Sequence, residues 1–234
     1  MLLTGIIDTT KTVKKDRDSR AEITENHNNR FKITVGMLLK ALTSSFVIYD
    51  TEYTAWEGSR KNNWKRPGEF REIIEIGAIR GSLVKNKIIV KKVFSILVRP
   101  VINPKLSNYI IQLCGITQQM VDKKGVNFNT AWNKLLKFTR GANSILSFGE
   151  DDLIIQENLI MNKVDYRINN KIWLNYKSIF LNESNLNRKS SIQSCDIPKA
   201  LGLEPINKQK HRALSDVLNQ IQGLNKLLND YTAK

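Results

Sequence analysis

Asp50 and Glu52 follow the apolar run Phe46-Val47-Ile48-Tyr49, and charge placed at the end of a buried strand constrains this chain more than any other feature. A carboxylate removed from water is costly unless something pairs with it. Alternate strand residues share a face, so Asp50 and Glu52 are expected to point one way and Thr51 the other. Two acids on one face repel, and a divalent ion removes that penalty. Hard cations such as Mg²⁺ take carboxylate oxygens and water. The pair alone also fits a strand-end carboxylate capping a turn. Asp16-Arg17-Asp18 has the same spacing without the apolar lead-in and reads as solvated charge.

Two further acidic strings fall later in the chain. Asp151 and Asp152 follow Ile145-Leu146-Ser147-Phe148-Gly149, a strand pattern leading into a helix. On that helix Asp151 shares a face with Ile154, Ile155 and Asn158, whereas Asp152 shares one with Ile155, Gln156 and Leu159. Helix phase therefore favours Asp151 as a ligand, with Asp152 the alternative; either acid also suits the positive helix N-terminus. Near the C-terminus lies His211-Arg212-Ala213-Leu214-Ser215-Asp216. An imidazole with a pKa near ~6.5 is suited to take a proton from an attacking water near neutral pH. The other histidine, His27, lies in a polar stretch; a lone histidine on a helix is more often structural.

The chain has 234 residues, 41% of them hydrophobic, which suffices for one sizeable domain plus an extension. Its formal net charge of +15 draws polyanions, although the abundance of Lys, Asn and Ile also fits a coding bias. Cys114 and Cys195 form neither a disulfide framework nor a metal knuckle and read as buried reduced thiols. No apolar run reaches the ~20 residues of a membrane span. Residues 1–7 lack a basic lead-in and do not read as a signal peptide. A cytoplasmic protein with no membrane partner is expected.

Residues 8–30 show no period and read as a loosely ordered extension, so the domains are drawn as 1–40 and 41–234. Met37 is a candidate start. Residues 31–42 suggest a short helix before the first strand. Residues 54–70 are a loop; 73–84 and 87–98 form a hairpin about Lys85-Asn86. Helices are expected over 106–113, 117–122, 128–140, 151–161, 192–201 and 211–231, with strands at 144–148 and within 171–180. This order predicts an α/β domain.

The ordered set Asp-x-Glu, Asp, His-x-x-x-x-Asp resembles the DEDDh-type 3′–5′ exonucleases. Glu72-Ile73-Ile74-Glu75-Ile76-Gly77-Ala78-Ile79 is similar to their second-strand signature. Arg99-Pro100, Asn103-Pro104, Leu106-Ser107 and Cys114-Gly115-Ile116-Thr117 resemble the connection that follows it. The tract from Trp56 to Glu69 is similar to bacterial relatives of the branch that trims small RNAs and histone messages. The resemblance implies a ribonuclease H-like fold, a central mixed five-stranded sheet flanked by helices. It implies that Asp50, Glu52, Asp151 and Asp216 hold two Mg²⁺ or Mn²⁺ ions and that His211, on a loop entering the last helix, is the general base. One ion would activate water and the other stabilise the leaving 3′ oxygen. Tyr53 and Thr54 would border the terminal nucleotide; Tyr53, Trp56 and Trp64 could stack on bases or fill a core or rim. The expected substrate is the 3′ end of single-stranded RNA or DNA. Rival readings are a nucleic-acid-binding module with little catalysis and a proofreading subunit of a polymerase.

Overall fold

The computed structural model describes residues 35–165, 172–186, 192–206 and 211–232. The extension expected over 8–30, and residues 207–210 just before His211, lie outside the described residues. The first element, α1 (Val35–Leu42), precedes β1 (Phe46–Tyr53). The hairpin β2 (Ile73–Val84) and β3 (Lys87–Leu97) turns at Lys85 and Asn86, both at positive φ as a two-residue hairpin requires. Then come α2 (Asn108–Cys114), α3 (Gln118–Lys124), α4 (Phe128–Phe138), β4 (Ser144–Ser147), α5 (Asp151–Met161), β5 (Ile172–Asn175) and α6 (Lys177–Glu183). A short 3₁₀ turn, Ser194–Asp196, runs into α7 (Ile197–Ala200), and α8 (Ala213–Thr232) closes the described chain.

The five strands form one mixed sheet in the order β3-β2-β1-β4-β5. β1 is its centre, antiparallel to β2 and parallel to β4. Along β1 the side chains alternate between two cores. Phe46 and Ile48 join Val217, Ile221 and Leu224 of α8. Val47 and Tyr49 join Ala131, Trp132 and Leu135 of α4 and Ile154 and Ile155 of α5. Along β1, β4 pairs with Phe46, Val47 and Ile48, while β2 accompanies β1 on to Tyr53. The end of β1 therefore projects beyond its parallel neighbour, leaving an edge that other groups must satisfy.

Two helical expectations are corrected. The last helix begins at Ala213 and not at 211, because His211 has φ +54°, outside the helical region. The helix drawn over 192–201 is a 3₁₀ turn and the four-residue α7, ended by Gly202 at φ +71°. The compositional boundary at residue 40 falls inside α1, whose Leu38, Ala41 and Leu42 are buried in the core with Leu224 and Leu228. Polarity marked where the charge runs stop, not where packing starts.

Leu42→Ala should lower unfolding stability by about 2–5 kcal/mol, the usual cost of a truncated core leucine. A chain starting at Met37, which keeps all three buried side chains, should unfold as cooperatively as the full chain. Denaturant melts check both; a neutral Leu42→Ala would mean that α1 is not part of the core.

Candidate active site

Asp50 and Glu52 continue the Phe46 and Ile48 face of β1 and so point toward α8, while Thr51 points toward α5 as alternation predicts. α8 supplies Asp216, and ligand oxygens of Asp50, Glu52 and Asp216 lie within 4.8 Å of one another. All three residues are buried. Asp50 Oδ1 accepts a bond from Gln220 Nε2 at 3.0 Å, one turn beyond Asp216. Asp216 Oδ2 accepts a long one from the Ser194 hydroxyl at 3.4 Å. Asp216 Oδ1 has no hydrogen-bond partner among the described residues.

Asp151 joins this centre from the other side of β1. Its Oδ1 accepts the Thr51 N–H at 2.8 Å and the Thr51 hydroxyl at 2.7 Å. That carboxylate occupies the strand edge beyond the end of the β4 pairing, where a further strand would otherwise bond. Asp152 is half-exposed, while Asp151, Ile154, Ile155 and Asn158 form the buried face that helix phase assigned to them. Asn158 locks the helix to β2: its Oδ1 accepts the Ile73 N–H at 3.0 Å and its Nδ2 donates to the Arg71 carbonyl at 2.8 Å. Arg71, buried, donates to Glu150 Oε2 at 2.7 Å and through two nitrogens to Glu157.

The seat of α8 was not legible in advance. Glu75, buried and opposite Glu52 in the β1–β2 register, accepts Arg212 Nε at 2.9 Å and Nη2 at 2.7 Å. Its Oε2 also accepts the Ala213 N–H at 3.0 Å, satisfying one orphan donor of the helix start. A Cβ at Gly77 would collide with the backbone of Ala213 and Leu214, so only glycine lets the helix approach β2 this closely. The available signal was a second buried-looking acid in a strand, Glu75, which needs a cation as much as Asp50 does.

His211 stands half-buried beside this cluster; one of its nitrogens lies within 4.8 Å of an Asp216 oxygen and of Cys195 Sγ. Tyr53 is half-buried with its ring 5.5 Å from that of Trp64. Thr54 is buried; its hydroxyl donates to the Phe70 carbonyl at 2.5 Å and accepts the Glu72 N–H at 3.0 Å. Trp64 is buried, donating from Nε1 to the Thr54 carbonyl at 3.0 Å. Thr54 and Trp64 thus support the wall of the site from within, and Trp56 remains half-exposed.

Burial and mutual repulsion both press on the cluster. Burial first, then the charges of Asp151, Asp216 and Glu52, pushes the Asp50 carboxyl well above the usual range. Burial and then Asp216, Glu75 and Asp151 do the same to Glu52, against the pull of Arg212. Burial lifts Asp151 to about 7 despite its two Thr51 bonds, and lifts Asp216 to about 7 despite Ser194. Oxygen donors, mutual repulsion and an orphaned Asp216 oxygen are what a hard divalent ion would relieve, so the residues fit one.

Between the ordinary carboxylate range and about pH 7 the folded chain keeps protons on Asp151 and Asp216 that the unfolded chain has released, so stability falls as pH rises through that window. Asp216→Asn should raise the melting temperature of the metal-free protein by several degrees at alkaline pH and hardly change it in acid. An unchanged or lowered melting temperature at alkaline pH would contradict the crowding.

The exonuclease family model known as RNase T matches residues 47–224. A comparison with curated protein sequences finds no significant match. Among solved structures, the nuclease domain of 3′hExo, a DEDDh family member bound to rAMP, is 26% identical with a TM-score of 0.66, covering 80% of this chain and 93% of that one. Cell-death related nuclease 4 (CRN-4) is 19% identical, TM-score 0.64, over 81% of this chain and 65% of that one. The zinc-bound Escherichia coli ExoI–ssDNA complex is 20% identical, TM-score 0.57, over 81% and 42%. These last two share the fold, the ribonuclease H-like α/β arrangement. Matched from the start of β1 to well into α8, the chain belongs to the exonuclease family, as a DEDDh-type nuclease that hydrolyses phosphodiester bonds.

Proposed function

We propose that the protein removes nucleotides from the 3′ end of single-stranded RNA or DNA. The observation that carries this reading is the buried meeting of Asp50, Glu52 and Asp216 with His211 at its margin. 3′hExo is described bound to rAMP, and a related 3′-exonuclease in 3′-end recognition of a histone mRNA stem-loop. ExoI is described with single-stranded DNA. Both kinds of strand are therefore carried into the proposal. A cytosolic setting is consistent with two buried cysteines, both free thiols, and no helix among the described residues is long and apolar enough to cross a membrane.

Asp50, Glu52, Asp151 and Asp216 would hold two Mg²⁺ or Mn²⁺ ions. Bound there, the ions would supply positive charge to polarise the phosphodiester and ease deprotonation of water. His211 accepts the proton of the attacking water as the terminal phosphodiester bond breaks and the 3′ oxygen of the preceding nucleotide departs. Thr51 holds Asp151 from the strand edge, and Glu75 holds Arg212 and so the entry of α8. Lys177, its ammonium pulled down by burial and then by the Arg60 charge, stands close enough to Asp151 to feel it and adds positive charge on the α6 side for a phosphate. A net charge of +15 favours encounter with a polyanion.

End-labelled RNA and DNA oligomers should be shortened from the 3′ end with Mg²⁺ or Mn²⁺ and left intact in EDTA; equal cleavage after exhaustive chelation would overturn the reading. Asp151→Asn should abolish turnover while Asp152→Asn keeps most of it, and the opposite ranking would exchange their roles. His211→Ala should slow turnover by ~10²–10⁴-fold and remove the rise of rate with pH seen at saturating Mg²⁺. A destabilised but fully active His211→Ala protein would take the histidine out of the mechanism.

A further inference from the structure

The geometry points to a second, softer metal site that shares Asp216 with the acidic centre: Cys195, His211 and Asp216 form a Zn²⁺ site, and zinc held there shuts the nuclease off. The inhibitory part rests on the function proposed above; the site itself does not.

One donor atom from each of the three residues lies within 4.8 Å of the other two. Cys195 Sγ is 4.0 Å from His211 Nε2. A tetrahedral zinc, with Zn–S near 2.3 Å and Zn–N near 2.0–2.1 Å, sets sulfur and nitrogen about 3.6 Å apart. A small inward rotation of the two side chains therefore closes the pair around an ion. Asp216 brings a carboxylate that is 2% exposed and has one oxygen lacking any hydrogen-bond partner among the described residues. Asp216 is common to both donor groups, so that oxygen is within reach of a cation held with Asp50 and Glu52 or with Cys195 and His211.

The donor types divide the metals between the two sets. Asp50, Glu52 and Asp216 offer only oxygen and suit Mg²⁺ or Mn²⁺. Cys195 and His211 add sulfur and an imidazole nitrogen, which Mg²⁺ does not favour and Zn²⁺ does. Three protein donors leave a fourth position for water, an ordinary zinc arrangement. Binding replaces the Cys195 thiol proton, which leaves to solvent, with a zinc–thiolate bond.

The two sets cannot serve together. His211 Nε2 bonded to zinc has no lone pair with which to accept a proton, and Asp216 is drawn away from Asp50 and Glu52. Cys195 lies on the 3₁₀ turn Ser194–Asp196, takes no part in hydrolysis, and supplies the sensitivity to zinc.

Co²⁺ added to the purified full-length protein tests the site without reference to activity, since a thiolate bound to Co²⁺ gives a near-ultraviolet charge-transfer band. The band should appear in the native chain and in Cys114→Ser, be abolished by added Zn²⁺, and be missing from Cys195→Ser. Cys195→Ala repeats the measurement in case serine disturbs the buried turn. In Mg²⁺-supported digestion the native protein should be inhibited by zinc, and Cys195→Ser should need at least ~10-fold more zinc for the same inhibition, a loss no smaller than that of a supporting residue. Absence of the band in the native chain, its persistence in Cys195→Ser, or equal zinc sensitivity of the two would overturn the proposal. A chain that shows the band but digests no nucleic acid would sink the nuclease reading and leave the zinc site standing.

Discussion

The carboxylate of Glu75 holds the entry of the last helix against β2, and the acidic centre depends on that hold. Arg212 and the N–H of Ala213 both end on it, and Gly77 two residues further along β2 lets the helix backbone come close. The planar guanidinium makes two bonds to one carboxylate, so Arg212 at the helix entry is fixed in orientation as well as in distance. Asp216, three residues after Ala213, is thereby set beside Asp50 and Glu52, and His211 beside Asp216. A second anchor acts from the opposite face: Arg71 with Glu150 and Glu157, and Asn158 with β2, fix α5 so that Asp151 reaches Thr51.

The site is built against local electrostatic preference. Four carboxylates are buried near one another and all are driven toward the protonated form. Around them the chain carries a formal charge of +15. Excess positive charge attracts a polyanionic strand, and the buried acidic cluster attracts small cations. Strain of this kind persists at functional sites because the surrounding packing over-determines it, here two cores joined through β1.

Much of this was legible from residues. Strand alternation put Asp50 and Glu52 on one face and Thr51 on the other, and helix phase separated Asp151 from Asp152, because both depend on local periods. The hairpin at Lys85-Asn86 and the bounds of α5 followed from turn chemistry and patterning. What was not legible depends on distance in sequence. Glu75 and Arg212 are 137 residues apart, and nothing local marks them as partners. The start of α8 shifted to Ala213 because a tertiary bond to Glu75, and not helix propensity, sets where the helix begins. The short helix α1 was expected, but its burial was not legible, because it depends on α8 at the far end of the chain.

A divalent ion bound among these buried acids must displace the protons that burial holds on them. Calorimetric titration of the metal-free protein with Mn²⁺, in buffers of different ionisation enthalpy, tests it most directly. Because Asp151 and Asp216 hold protons up to about pH 7, Mn²⁺ should bind with proton release in mild acid and with almost none at alkaline pH. Asp50→Asn should weaken the binding at both. Undetectable Mn²⁺ binding, or binding that is unchanged in Asp50→Asn and independent of pH, would contradict the account.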